Sequence, residues 1–482
     1  MFTITSGNVT LTDLIITGNT SSASAGGIEY SGTGILTLND VAVTNNTGIN
    51  GGGIVFDADG TLELGTGAQI VGNTATGDGG GIAVYGSFAT LHMVSSGSYV
   101  ASNHSDNGFG GGIFLYGATA YVDTPDATDI PAIFLNTAMD GGGVAVESNQ
   151  DAGAFLSIGA SGHTVRVELN SASDPLGGGG GVHLLSSGYN GIGGTYYGHA
   201  LLEATNARIE HNIAVEGSAI FADCGMTVSA CDTTSEIAMS TSGCAGLDCN
   251  TVAGNETQTS AGQPTPGSAV YLRNSDFQAY GLHMRGNHGA HAVGAVSGHD
   301  LELHDCLVAE NMLTAEMFSF DTGYFSVDQC TIANDSIGVS PAILTNNAEV
   351  HLTNSVISED VAALQTIGGT SDVHDIVAKN TGGLPASPDI VQGDPLFFDI
   401  ANSDYRLSVL SMNGDVEASP AVDFAPATTG NDHTDIDGRP RDLDVPAVVN
   451  VSGPRDLGAY EMQPITDRIF IGTFGDAYRL VY

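Results

Sequence analysis

Two short signals recur together along this chain, and their period constrains the fold more than any other feature. The first is an aliphatic residue three places before an asparagine: Ile16 to Asn19, then Asn46, Asn73, Asn103, Asn136, Asn170, Asn212, Asn255 and Asn311 in the same setting. Met284 to Asn287 and Ile332 to Asp335 continue the series with one substitution each. The second is a glycine cluster that runs into an aliphatic, as in Gly51 to Ile54, Gly79 to Ile82, Gly110 to Ile113, Gly141 to Val144 and Gly178 to Val182. Ten steps from Asn19 to Asp335 cover 316 residues, or 31.6 per unit. A period of this size belongs to a stack of small units and not to a single globular core.

Residues 51–78 show what one unit contains. Gly53 to Phe56, Thr61 to Leu64 and Gln69 to Val71 are short β-type segments, separated by turn sequences such as Asp57-Ala58-Asp59-Gly60 and Gly65-Thr66-Gly67. No 3.6-residue periodicity is present, so a helical repeat array is excluded. Three strands and three turns make one triangular coil, and stacked coils pair each strand with counterparts about 4.8 Å away. The expectation is an all-β fold: a right-handed parallel β-helix of about 12 coils. The repeated asparagines are expected to occupy left-handed turn positions and to stack into one hydrogen-bonded ladder. The body should span 1–389, with insertions near 186–200 and 222–266. An irregular cap at 390–462 should close the last coil, and 463–482 forms a tail with a strand or hairpin.

The glycine and asparagine series resembles the repeats of the polymorphic outer-membrane proteins of chlamydiae, with Gly for Ala and aliphatic for Phe. The C-terminal part resembles bacterial right-handed β-helix repeat proteins of the choice-of-anchor type. The residues that carry this are Asp394 to Phe397, Asp404 to Leu407, Ser419 to Asp423, Asp435 to Arg441 and Asp456 to Glu461. The resemblance implies a secreted or surface-attached, outer-membrane-associated protein. Met1 to Asn8 is neither basic nor followed by an apolar run, so no export signal is legible in this chain and coils preceding it are expected.

Lys379 is the single lysine, and ten arginines face 54 acids, for a net charge of −43. Nucleic-acid or anionic-lipid binding needs cationic clusters and is excluded as a main role. No apolar stretch is long enough for a spanning helix. Cys224, Cys231, Cys244 and Cys249 fall in one insertion and read as two loop disulfides of open pairing, with zinc as the alternative. Cys306 and Cys330 occupy equivalent places in consecutive coils, as a disulfide or as two buried thiols.

Catalytic signatures are weak, and no residue is assigned a catalytic role. There is no Asp-Asp pair, and Gly298-His299-Asp300 is a partial echo of a hydrolase motif. Arg166, Arg208, Arg273 and Arg285 are the bases of the body, and Arg273 and Arg285 are expected near Asp276 and Glu302. His283, His288, His291 and His299 are dense enough to suggest two imidazoles on one metal, against exposed turn histidines. Ca²⁺ is the one cofactor suggested, through Asp432, Asp435 and Asp437, against a capping turn. Tyr189, Tyr196, Tyr197 and His199 sit in a glycine-rich insertion where a ligand could bind. The leading reading is a non-catalytic, adhesin-like protein whose partner is an extracellular glycan or a host or cell-surface ligand. The alternative is a polysaccharide lyase or hydrolase acting on an acidic polysaccharide.

Overall fold

A computed structural model describes residues 1–123, 132–149, 152–160, 163–174, 177–186, 188–191, 194–224, 235–242, 249–258, 267–297, 300–412, 415–427, 434–445, 448–462, 470–471 and 479–480. The chain is all-β and forms a parallel β-helix, and no helix among the described residues is long and apolar enough to cross a membrane. It divides into two units. The first comprises 1–244, 248–278 and 287–300, and the second comprises 245–247, 279–286 and 301–482.

In the first unit each coil contributes strands that pair in parallel with the same segments of the coils on either side. Ile54–Asp57 pairs with Ile82–Tyr85, Gly60–Glu63 with Ala89–His92, and Gln69–Val71 with Tyr99–Ala101. A fourth strand, only two residues long, directly follows each ladder asparagine from Asn46 to Asn287: Thr74–Ala75 pairs with His104–Ser105. A pair of residues carries no period, which is why sequence reasoning found three strands per coil and not four. Inward residues alternate along each strand, and Ile54, Phe56, Leu62, Ile70 and Ile82 are completely buried.

Both repeated motifs meet in one construction. The side-chain amide of Asn46 donates to the carboxamide oxygen of Asn73 at 3.1 Å, and the Asn46 backbone N–H donates to the same oxygen at 3.0 Å. Its second amide hydrogen reaches back to the Ile16 carbonyl at 2.9 Å. The pattern repeats from Asn19 to Asn287 with amide-to-carboxamide distances of 2.8–3.1 Å. The third glycine of each cluster roofs this ladder: a Cβ on Gly81 would lie 2.9 Å from the Asn103 amide nitrogen. The first glycine, such as Gly79 at φ +66°, supplies the left-handed turn.

The left-handed residue of the ladder turn is not the asparagine, as expected from sequence, but the residue before it. Gly18, Asn45, Gly72, Ser102, Leu135, Leu169, His211 and Gly254 all have φ between 53° and 69°. The ladder asparagines are not among the positive-φ residues, and their carboxamides point along the stack. Leu135 sits there at φ 57° while 47% exposed, so its side chain gains little for the strain it carries. Leu135→Asn should therefore stabilise the protein by about 1 kcal/mol. A higher urea midpoint at unchanged slope would show it.

The second unit continues the coil pattern with Phe318–Asp328 on Ile343–Ser358 and Thr370–Ala378 on Ile390–Gln392. Its ladder changes chemistry. Asn311 donates to Asp335 through the side chain at 2.8 Å and the backbone at 2.7 Å, and the Asp335 N–H donates to Glu359 at 3.1 Å. Burial raises both carboxyls well above their ordinary range, and the Asp335 charge adds to the rise of Glu359. Cys306 and Cys330 form a disulfide with Cα atoms 4.5 Å apart. Cys224 and Cys249 of the first unit are each disulfide-bonded, while Cys231 and Cys244 lie outside the described residues.

The C-terminal segment lies along the flank of its unit, in contrast to the cap expected over the last coil. Tyr405, Ile436, Ala459 and Tyr460 pack on Leu307, Ala309 and Ala333. Leu407, Val409, Ala421, Phe424 and Leu457 pack near Val356 and Val377. Leu307 and Ala309 flank the inward Val308, so they point outward and need this cover. Beyond Glu461, Phe470–Ile471 and Arg479–Leu480 form a short hairpin whose second strand pairs with Val409–Leu410.

Candidate functional site: an aromatic and acidic face

The outward positions of the first strand in each coil of the first unit fall into two rows. Register aligns Val55, Ala83, Phe114, Ala145, His183, Phe221 and Tyr271 in one. Two residues further on, it aligns Asp57, Tyr85, Tyr116, Glu147, Leu185, Asp223 and Arg273. An outward face of a solenoid is ordinarily polar and wet. Here Ala25, Val55, Ala83, Phe114 and Ala145 make an apolar cluster outside the coil core, with Tyr85, Phe109 and Tyr116 packed on it.

The rings are in contact along the row. Phe114 stacks on Tyr116 at 6.3 Å and on Phe109 at 6.4 Å, His183 lies 5.1 Å from Phe221, and Phe221 stacks on Tyr271 at 5.4 Å. The Arg273 guanidinium sits over Phe221 and Tyr271 at 5.4 and 5.8 Å and pairs with Asp223 at 2.9 Å.

Acids border the rings from the turns just before the glycine clusters. Asp78 accepts the Phe109 N–H at 2.9 Å, Asp140 the Gly178 N–H at 2.6 Å and Glu216 the Ser268 N–H at 3.2 Å, each from a following coil. Burial pushes Asp140 up to about 7, aided by the Asp174 charge and opposed by the Gly178 N–H. Burial, with Asp78 beside it, pushes Glu147 up to about 7. Glu216 rises to about 7 through burial, against the Ser268 N–H and Arg273. His183 goes the other way, to about 3, because burial and then Arg273 disfavour its cation. Three buried polar atoms on this face have no hydrogen-bond partner: His183 Nε2, Tyr85 Oη and Asp223 Oδ1. Leaving such a group unpaired costs about 1–3 kcal/mol.

Other expected site residues lie elsewhere. Arg273 pairs with Asp223, and Arg285 pairs with Glu310 at 2.6 Å in the second unit. Asp276 instead accepts the Asp300 N–H at 3.1 Å, and Glu302 sits 3.7 Å from His304. Arg166 and Arg208 lie side by side in register and pair with Glu168 and Glu210. His283 is fully buried, with its pKa lowered to about 4 by burial and then by Arg285. His288 and His291 are half-buried, and His299 lies outside the described residues. No group of three or more metal-binding side chains is assembled among the described residues.

Asp435 is the hub of a turn: it accepts the N–H groups of Asp437, Arg439 and Glu461 at 3.0, 2.7 and 3.1 Å. Asp437 lies 3.4 Å from Arg439, and Asp432 is outside the described residues. These contacts spend the Asp435 oxygens on backbone. The insertion near 186–200 forms a hairpin with Tyr189 opposite Tyr196. The side chains of Tyr189, Tyr196 and Tyr197 lie outside the described residues, and His199 is exposed.

Sequence reasoning missed the acidic–aromatic face. Its signal was present as an acid directly before the glycines, in Asp78-Gly79-Gly80-Gly81 and Asp140-Gly141-Gly142-Gly143. Comparison with protein-family models, curated proteins and solved structures finds no match for this chain.

The raised carboxyls make stability pH-dependent. Their folded pKa values exceed the unfolded ones, so the folded state binds more protons between about pH 4 and 8. That stabilisation is complete below the unfolded values and is lost as pH rises through about 7 for Asp140, Glu147 and Glu216. The lowered His183 and His283 oppose it only below their unfolded value near 6.5. The melting temperature should therefore be several degrees higher at pH 5.5 than at pH 8, as differential scanning calorimetry would read. A higher value at pH 8 would contradict these burial assignments.

Proposed function

We propose that this protein is a secreted or cell-surface, outer-membrane-associated β-helix with an adhesin-like role, and that it binds an extracellular glycan without cleaving it. The observation that carries the reading is the outward set of rings at Tyr85, Phe114, Tyr116, His183, Phe221 and Tyr271, interrupted in one coil by Ala145 and Glu147 and bordered by carboxyls. Sugar rings present apolar C–H faces to aromatic side chains and hydroxyl donors to carboxylates, and a rigid solenoid offers both along a line. The resemblance of the C-terminal pattern to choice-of-anchor proteins supports the location. The test is affinity electrophoresis in gels cast with soluble polysaccharides, run beside a reducing-end assay and 235-nm absorbance. Retardation without product release is expected, and no retardation by any glycan would refute the reading.

A second reading, a glycoside hydrolase, draws on the carboxyls near 7, a value suited to a general acid. Reducing-end release that Glu147→Gln or Asp140→Asn abolishes would favour it over binding alone.

A further inference from the structure

The second strand of each coil carries its own outward rows, and in one place they leave a hollow. Register aligns Glu63, His92, Tyr121, Ser157 and Glu203 in one row. Two residues further on, successive coils present Val94, Asp123 and Gly159, placed by bonds from the Asp123 N–H to the Met93 carbonyl and from the Gly159 N–H to the Val122 carbonyl. A tyrosine and an aspartate are thus followed, one coil on, by a serine and a glycine. The glycine is required there, because its φ is +81° and a Cβ would overlap the Thr205 carbonyl oxygen. The step from large to small side chains opens a cavity of about 410 Å³, lined by His92, Val94, Tyr121, Asp123, Ser157 and Gly159. Pockets that hold small ligands run from about 300 to 1,000 Å³, with a few polar groups set among apolar ones.

The lining has a definite chemistry. Tyr121 is 40% exposed, and the rings of His92 and Phe155 meet it at 74° and 69°, so neither stacks on it. Asp123 is steadied by His163, whose Nε2 lies 2.6 Å from its Oδ1. An aromatic ring, a carboxylate acceptor, a serine hydroxyl and an imidazole that can donate or accept suit a ligand ring that is apolar on its faces and carries hydroxyls on its rim.

We propose that this cavity receives a single uncharged pyranose residue, as a chain end or a branch, with a C–H face on Tyr121 and hydroxyls bonded to Asp123 and Ser157. The site belongs to the second strands and not to the ring-bearing face of the first, so the inference goes beyond the reading above and uses different side chains. An acidic sugar is disfavoured by Asp123 in a chain of net charge −43. A bound peptide strand finds no free edge, because Thr119–Val122 is paired on both sides.

The test is saturation-transfer NMR on the full chain at pH 7 and near-physiological salt. The probes are methyl β-glucopyranoside, methyl β-galactopyranoside, N-acetylglucosamine and glucuronate. At least one of the three neutral sugars should give saturation transfer, strongest at its ring C–H protons, and glucuronate should give at least fivefold less. Tyr121→Ala, which removes the platform, and Ser157→Phe, which fills the space, should each cut the signal at least fivefold, with melting curves confirming that both fold. Tyr280→Ala, at a 46% exposed tyrosine of the second unit, should leave it unchanged. Silence from all three neutral sugars would overturn the inference, as would a signal that survives both cavity variants. Equal loss on Tyr280→Ala would also overturn it, by revealing general attraction to exposed tyrosines. So would glucuronate giving the strongest signal. Polysaccharide retardation in the gel that persists through any of these results leaves the reading of the first-strand face standing.

Discussion

Asn136→Leu should lower the stability of the protein by about 3–6 kcal/mol, the largest effect expected of any single ladder substitution. The carboxamide of Asn136 accepts both the backbone N–H and the side-chain amide of Asn103, at 2.9 and 3.0 Å. Its own amide donates to the Val100 carbonyl and to Asn170, both at 3.0 Å. Leucine matches the volume but strands donors above it and acceptors below it, at a site with no access to water. Because each coil contacts only its neighbours, the loss falls in mid-stack and should divide the unfolding transition as well as lower it. Chemical denaturation followed by circular dichroism would show an earlier and broader transition. A loss under 1 kcal/mol would mean that the ladder is ornamental.

The second large effect belongs to Arg441. Its side chain is fully buried, pairs with Asp305, and donates to the carbonyls of Gly458 at 3.0 Å and Ala459 at 3.1 Å. Arg441→Ala leaves Asp305 nearly buried without its cation and removes a donor from the Thr434, Gly458 and Ala459 carbonyls, which should cost about 3–5 kcal/mol. The C-terminal segment should then release from its flank and expose Leu307, Ala309 and Ala333. Rapid proteolysis after residue 390, with the coils resistant, would report this. Unchanged protease resistance would contradict it. Arg441→Met, which fills the space but also removes the charge, should recover little because Asp305 remains.

Much of the coil was legible because its determinants are local and repeated. The spacing of Ile133 and Asn136 encodes an inward aliphatic and a ladder amide, and it does so in each coil. The glycines of residues 79–81 were legible as close-approach positions, though not that the third one roofs the next carboxamide. What stayed hidden depends on side chains that meet only after coiling. The ladder continues to Glu359, which sequence spacing did not suggest: Ile357 is the residue in register with Ile332, so the acid follows its aliphatic by two places and not three. The longer side chain makes up the difference.

The functional face was hidden for the same reason. Phe114, His183 and Phe221 are separated by 69 and 38 residues, so no local pattern links them. Outward aromatics on strands read as ordinary alternation until register shows that they stand in one line. The C-terminal acids were legible as a resemblance but not as a mechanism. Asp435, Asp456 and Glu461 prove to be buried acceptors for backbone N–H groups, which suits a fold determinant.

The most direct test of the central claim, that the outward face of the first strands is the ligand site, is hydrogen–deuterium exchange with and without a glycan that retards the protein in the gel assay. Exchange should slow in the turns and strands at 78–85, 109–116, 140–147 and 182–186, with no change across 343–378. Protection confined to 343–378, or to the hairpin at 188–197, would contradict the claim and place the site elsewhere.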